Sequence, residues 1–435
     1  MGEVSLEEAR GRHVLAALSG GADSVALLLL LCEARDKGFL TLSAAHFEHG
    51  IRGTQSLRDA AFCADLCRGM GVPFLSESAD VPAEAAKTGE GLETCARRLR
   101  YDFLYRAASS EGADLIALAH HADDQAETVL MHLFRGAGSD GASGMRRLSG
   151  KLYRPLLNVR KADLISILLE RNQPWREDAT NRHADNPRNR LRIEVLPILR
   201  DIYPGCEEAV CRFAETIADE NDLLSRMTEN FLRERAEHYP GGTILRLNGS
   251  WEKALARRAL RRLVGAELNR DKLEELLTLT GGCDVTRGLR ARRCGDRLYL
   301  IRQTEPPKEQ PLNLNGATAL EGVCVLRSED APPIPEKSLR STQVLDRQSL
   351  EGACLRTRRQ CDRIRPLGMA GSRSLSDYMT DRKIDPPLRD YVPVLAKGSE
   401  IMWVIGFGIS RLCMLKGAQG VRIQCKYDGW GGFEP

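Results

Sequence analysis

Four short clusters in the first third of the chain hold the side chains able to do chemistry. Ser19-Gly20-Gly21-Ala22-Asp23-Ser24 joins the apolar run Val14 to Leu18 to the leucine-rich run Val25 to Leu31. Successive glycines let a backbone turn tightly, and a helix starting there aims its positive end at the same place, so the segment suits an anion. The simpler use of the same residues is a strand-to-helix turn capped by Asp23 or Ser24. The loop fits neither GxxxxGK[ST] nor GxGxxG. A carboxylate among phosphates calls for a metal ion between them, which makes Asp23 the candidate ligand.

The second cluster, His46-Phe47-Glu48-His49-Gly50-Ile51-Arg52, lacks the helical i, i+4 histidines of a zinc protease. It is expected to be a loop closing over a nucleotide, with the backbone near Phe47 beside the base, or else a polar surface loop. In the third, Glu93, Arg97 and Arg100 share a stripe beside the apolar face Leu92, Ala96, Leu99 and Phe103. Glu93 and Arg97 could pair along the helix, which leaves Arg100 to stabilise charge on a phosphate. The fourth, His120-His121-Ala122-Asp123-Asp124-Gln125-Ala126-Glu127-Thr128, starts a helix. Asp123 or Asp124 could cap it with Glu127 completing a capping box, but two carboxylates after two histidines also suit proton transfer or metal-assisted phosphate chemistry.

These clusters need a scaffold that brings loop ends together. Apolar runs at Val14 to Leu18, Leu42 to Ala45, Val72 to Leu75 and Leu115 to Ala119 read as buried strands, and residues 24–36, 57–69 and 92–110 show helical periodicity. Alternating strands and helices predict an α/β fold with a doubly wound parallel sheet, whose ligands bind beyond the carboxyl ends of the strands. Ser19, His46 and His120 all fall at such ends. From residue 206 the chain becomes helical and charge-rich, closing with a short strand at Arg297 to Ile301. Residues 303–310 have linker composition, and Cys354 to Cys425 reads as short strands and turns, clearest at Met402 to Gly406. The expected domains are 1–205 for nucleotide binding, a helical one over 206–303, and a small α+β one over 304–435.

Length and composition set bounds. A chain of 435 residues exceeds one hydrophobic core. A net charge of +3 gives no basic excess to mark a nucleic-acid partner, so local clusters have to be sought. The 13 cysteines form no CxxC pair, which argues against a metal ribbon or iron–sulfur site. Scattered thiols and no secretory leader point to a reducing cytoplasm, and the longest apolar run, Val25 to Cys32, is too short to span a membrane.

The first cluster matches, without a substitution, the signature of the PP-loop ATP pyrophosphatases. Taken with His46 to Arg52, Arg97 to Tyr101, His120 to Gly136, Arg154-Pro155-Leu156-Leu157, Trp175 to Asn181 and Arg188 to Arg192, it resembles the tRNA(Ile)-lysidine synthase family over most of residues 13–200. The resemblance implies that ATP adenylates the wobble cytidine of the isoleucine tRNA with a CAU anticodon, and that L-lysine then displaces AMP. It implies Asp23, Arg100, His120 and Asp124 as catalytic residues and Asp23 as the Mg²⁺ ligand. It also implies Ser19, Gly20, Gly21, Ala22, Asp23, Ser24, His46 and Phe47 at the ATP. Sequence leaves open whether the chain acts alone or as a homodimer.

Arg182, Arg188, Arg190 and Arg192, interleaved with asparagines, are candidate RNA contacts, against the alternative of a solvated charged face. Arg356, Arg358, Arg359, Arg363 and Arg365 lie in a segment similar to the family's C-terminal tRNA-contacting domain, with Arg358 and Arg359 the candidate contacts. There Gln360-Cys361-Asp362 replaces a glycine before the aspartate. Cys361 is expected to stay out of glycine-only backbone space and so to alter the turn. A tRNA thiolase would need a cysteine pair near the site, and a small-molecule amide synthetase leaves the C-terminal arginines unexplained. A catalytically silent RNA-binding protein would not need Asp23, Arg100, His120 and Asp124 intact.

Overall fold

Val14 and Ala16 pack into one apolar core and Leu15 into another, all at most 1% exposed. Strand β1 (His13–Ala17) is thus covered on both faces, which is why it reads as a continuous apolar run instead of an alternation. The computed structural model describes residues 4–50, 54–176, 186–265, 268–332, 340–369, 371–416, 419–428 and 430. The chain divides between Leu223 and Leu224 into two compact units.

In the first unit β1 leads into α1 (Ala22–Asp36), β2 (Thr41–Glu48), α2 (Thr54–Gly69) and β3 (Phe74–Ser78). Then come α3 (Val81–Thr88), α4 (Leu92–Ser110), β4 (Leu115–Ala117), α5 (Ala122–Phe134), α6 (Ser139–Ala142), β5 (Leu148–Ser149), β6 (Leu152–Tyr153) and α7 (Lys161–Glu170). The strand order is β3-β2-β1-β4-β6-β5, parallel except where β5 meets β6. This is the expected doubly wound α/β sheet. The chain goes one way from β1 to β2 and the other way at β4, so the crevice between the ends of β1 and β4 is where a ligand is expected.

The second unit holds antiparallel strands. Strands 236–239, 242–246, 297–302, 289–294 and 282–286 form a five-stranded sheet in that order. Helices Lys253–Val264 and Arg270–Thr278 pack on it through Ala256, Ala259, Leu260, Leu273 and Leu276. Residues 206–303 are therefore helical in part only. Strand Leu289–Cys294 buries Leu289 and Ala291 while Arg290 and Arg292 point outward, a two-residue alternation that looks like a charged helix face when read for composition alone. Beyond residue 310, a seven-stranded sheet including Val394–Lys397 and Glu400–Val404 and a four-stranded sheet including Cys324–Ala331 and Gly420–Tyr427 complete the unit. Helix Leu375–Asp381 is capped by Ser374, whose hydroxyl accepts the Asp377 N–H at 3.0 Å. No described helix is long and apolar enough to cross a membrane.

The turn at Cys361 corrects an expectation. Cys361 adopts φ +67°, within the left-handed region, so the glycine conformation is kept without the glycine. Asp362 anchors it: this carboxylate, 3% exposed, accepts both ends of the Arg356 guanidinium at 2.8 Å and the Arg359 N–H at 2.7 Å. Such fully paired buried partners resist rearrangement, whereas a left-handed side chain costs only about 1–2 kcal/mol.

Candidate functional site

The loop after β1 is held from within. The Ser24 hydroxyl accepts the Ser19 N–H at 3.1 Å, meets the Ser19 hydroxyl at 3.0 Å and donates to the Gly21 carbonyl at 3.0 Å. Gly20 turns the chain at φ +86°, and its carbonyl accepts the Arg176 N–H at 2.9 Å. Helix α1 starts on Gly21 with no side-chain cap. Neither Asp23 nor Ser24 is therefore spent on capping, and the first N–H groups of α1 remain for a ligand.

A cleft of about 220 Å³ opens over this loop, lined by Ser19, Gly21, Asp23, Ser24, Arg100 and His120, with Ala45, Phe47 and His49 among its apolar and aromatic walls. Six candidate residues drawn from three separate clusters thus meet in one cavity, and Phe47 lines it with them. Phe47 packs against Phe103 with ring centroids 5.7 Å apart. Arg100 lies over the Tyr101 ring, its centre 5.4 Å from the ring centroid, and its Nε is buried without a hydrogen-bond partner. An unsatisfied guanidinium facing a cleft is equipped for an incoming anion.

Four candidates sit otherwise than expected. His46 lies within β2 instead of after it, and its Nδ1 is 2.9 Å from the Leu18 carbonyl. It braces the residue before Ser19 and does not line the cleft. Gly20 and Ala22 belong to the loop but do not line the cleft. Asp124 stands one layer back, where its Oδ2 accepts the His121 N–H at 3.3 Å.

His121, absent from the candidates, organises this layer. It is 2% exposed and caps α5 reciprocally with Asp124, in place of the expected box through Glu127. Its Nε2 is 3.7 Å from Asp23 and 3.4 Å from Asp124, and its Nδ1 is 3.5 Å from Asp123. Burial alone would disfavour its charge, but the hydrogen bond to Asp123 and the carboxylates of Asp124 and Asp23 raise its pKa. One imidazole thereby ties Asp23 on α1 to Asp124 on α5. Burial raises the cost of the Asp123 charge, yet hydrogen bonds from His121, Arg160 and the Lys161 N–H hold its carboxyl below the usual range.

His120 has the opposite environment. Burial pushes its pKa down to about 4, with Arg154, Arg100 and Arg97 adding to the effect and Asp124 opposing it. Its Nδ1 accepts from Arg154 Nε at 3.3 Å. The neutral ring therefore carries its proton on Nε2, as a donor toward the cleft.

The arginines divide. Arg192 grips the buried Glu127 carboxylate with two N–H groups and reaches Asp124 at 3.3 Å, and Arg188 bonds Thr128 and lies 3.4 Å from Glu127. These two brace the carboxylate layer. Arg190 pairs with Glu194 at the surface, and Arg182 lies outside the described residues. In the second unit Arg358 pairs with Asp390 at 2.7 Å and Arg359 with Glu309 at 3.1 Å, both partly exposed. Arg154, Arg160, Lys161 and Glu127 were not among the candidates. Arg154 and Glu127 stand inside quoted motifs, but nothing in the spacing of Arg160 and Lys161 signals that α7 delivers them to α1 and α5.

Among the described residues no three His, Cys, Asp or Glu side chains form a metal cage. His121 itself fills the space between the three aspartates. Asp23 Oδ1 is buried without a hydrogen-bond partner, however. One unsatisfied carboxylate oxygen at a phosphate loop suits Mg²⁺, which is held by one or two carboxylates together with substrate phosphates.

A model described as a PP-loop domain matches residues 3–199, and one described as the TilS substrate C-terminal domain matches residues 354–425. The curated tRNA(Ile)-lysidine synthase of Dehalococcoides mccartyi is 31% identical over 92% of this chain and 92% of its own length. That of Symbiobacterium thermophilum is 34% identical over 91% and 90%, and that of Geobacter sulfurreducens 33% identical over 91% and 89%.

Proposed function

Since the chain belongs to the tRNA(Ile)-lysidine synthase family, we propose that it joins L-lysine to C2 of the wobble cytidine of isoleucine tRNA with a CAU anticodon, at the expense of ATP. The observation that carries the proposal is the convergence of the Ser19–Ser24 loop, Arg100 and His120 on one cleft at the switch point of the sheet. In the first step the cytidine C2 oxygen attacks the α-phosphorus of ATP and pyrophosphate leaves. In the second the lysine amine attacks C2, AMP leaves with that oxygen, and the amine gives up its protons.

The residues divide this work by position. The loop N–H groups and the start of α1 bind phosphate, and Phe47 and Ala45 wall the end that suits the adenine. Arg100 offsets charge growing on the α-phosphate, and His120 Nε2–H donates to an oxygen of the reacting phosphate or of the leaving AMP. Asp124, a carboxylate held by His121 and Arg192 one layer behind the cleft, acts by orienting His121 beside Asp23. Asp23 is the residue that would hold Mg²⁺, whose contribution when bound is to neutralise the phosphate oxygens. Among the described candidate arginines, Arg190, Arg358 and Arg359, whose carboxylate pairs lie at the surface, are the ones assigned to RNA phosphates.

The test is incubation of purified protein with ATP, labelled lysine and transcripts of isoleucine tRNA(CAU) and methionine tRNA. Label should enter the isoleucine transcript alone. Labelling of neither, or of both equally, defeats the substrate assignment, and Asp23→Asn and His120→Ala should each abolish incorporation.

A further inference from the structure

The phosphate loop contains no cation. In GxxxxGK[ST] loops a lysine within the motif reaches the outer phosphates, whereas Ser19 to Ser24 supplies only a carboxylate, Asp23. A pyrophosphate leaving group bears several negative charges, so its counter-charge has to arrive from elsewhere in the fold. Arg100 serves one side of the cleft, beside His120.

At the Asp23 side stands Lys161, the first residue of α7, with its Nζ 3.4 Å from Asp23 Oδ2. The neighbouring guanidiniums are already committed: Arg160 to Asp123, Glu207 and Glu208, and Arg192 to Asp124 and Glu127. Lys161 has a single long contact to one oxygen, and its side chain is 40% exposed. Its backbone is fixed, since its N–H donates to Asp123 Oδ2 at 2.9 Å, while the stem above it can swing. Phosphates bound over the loop lie beside Asp23, which lines the cleft, and Lys161 Nζ stands 3.4 Å from that carboxylate.

We infer that Lys161 is a binding residue for the pyrophosphate end of the nucleotide, rotating from Asp23 onto the terminal phosphates and so doing the work that a lysine inside the loop does elsewhere. The inference rests on the ATP-dependent reading above and specifies which phosphates this residue meets. It predicts a split between two ligands that together make up ATP. With Mg²⁺ present, Lys161→Met should weaken inorganic pyrophosphate binding about 10- to 100-fold, as for loss of a hydrogen bond to a charged group. AMP binding should stay as in the wild type, and Lys161→Arg should keep most of the pyrophosphate affinity.

Isothermal titration of wild type, Lys161→Met and Lys161→Arg with pyrophosphate, AMP and ATP measures this, with melting temperatures confirming that the variants fold. Unchanged pyrophosphate affinity in Lys161→Met, or an equal loss of AMP, overturns the assignment. A wild-type protein that binds no ATP overturns the nucleotide reading itself, and the role of Lys161 with it.

Discussion

The two adjacent glycines of the phosphate loop should fail in different ways when given a methyl group. Gly20 stands at φ +86°, and a Cβ there meets Cys63 Sγ at 3.3 Å, Phe62 Cδ1 at 3.5 Å and Arg176 Cγ at 3.6 Å. The left-handed conformation costs alanine about 1–2 kcal/mol. Crowding against a packed core adds about 1 kcal/mol, and the lower freedom of the unfolded chain returns about 0.4–1 kcal/mol. Gly20→Ala should therefore lose about 2 kcal/mol of stability. Gly21 has φ −73° and ψ 162°, with only Ser19 Oγ near its Cβ position, at 3.6 Å. Alanine is a poorer cap than glycine there, but the unfolded-chain effect nearly cancels this, leaving stability within about 0.5 kcal/mol of wild type. Gly21 lines the cleft, however, so its methyl stands where a phosphate would approach. Urea denaturation and ATP titration of both variants should show Gly20→Ala destabilised, and Gly21→Ala stable but about tenfold or more weaker for ATP. Equal stability losses, or wild-type ATP affinity in Gly21→Ala, would refute the division of labour within the loop.

His120 gives a pH signature. Its folded pKa of about 4 lies below the ordinary 6.5, so the unfolded chain takes the proton first as pH falls. The neutral ring's stability share is intact above pH 6.5 and is lost toward pH 4, by up to about 3 kcal/mol. His120→Gln should flatten denaturation midpoints over that window, and an unchanged slope would contradict the neutral assignment. His121, with its raised pKa, contributes with the opposite sign: its share is present below pH 6.5 and fades as pH rises through the folded value. At Cys361, φ +67° means that glycine should match or exceed wild-type stability by up to about 1 kcal/mol, whereas Cys361→Val should lower it. A valine variant as stable as the glycine one would show that the turn is not left-handed. If Arg358 and Arg359 meet tRNA phosphates, each alanine variant should lower the log–log salt slope of tRNA affinity by about 1. An unchanged slope removes that residue from the RNA surface.

The parts of the site that lie on continuous segments were legible in the sequence. Val14 to Asp23 is strand, turn and helix in succession, and local pattern suffices to place Ser19, Asp23 and, through the same logic, His120 at the sheet's carboxyl edge. What escaped depends on distance in sequence. The basic neighbours of Arg192 point to RNA, yet the carboxylates that claim it lie far earlier along the chain, Glu127 by 65 residues and Asp124 by 68. His121 follows His120 directly in sequence, and burial among Asp23, Asp123 and Asp124, whose carboxylates raise its pKa, separates its bracing role from that of the neutral donor His120. His46 shows how a strand that runs on past Ala45 to Glu48 turns a ligand candidate into a support for Leu18. In the second unit, the alternation of Leu289, Arg290, Ala291 and Arg292 was hidden by a high arginine content typical of helical surfaces. At Cys361 the local rule was outweighed by the buried Arg356–Asp362 pair.

The central claim is that this cleft splits ATP between its α and β phosphates to activate a cytidine. The most direct measurement omits lysine and follows ATP labelled in the α-phosphate, incubated with protein, Mg²⁺ and the isoleucine tRNA(CAU) transcript. Label should move onto that RNA with release of one pyrophosphate per adduct, and should leave as AMP once lysine is added. Release of ADP and phosphate, or an RNA that never acquires the α-label, would contradict the account.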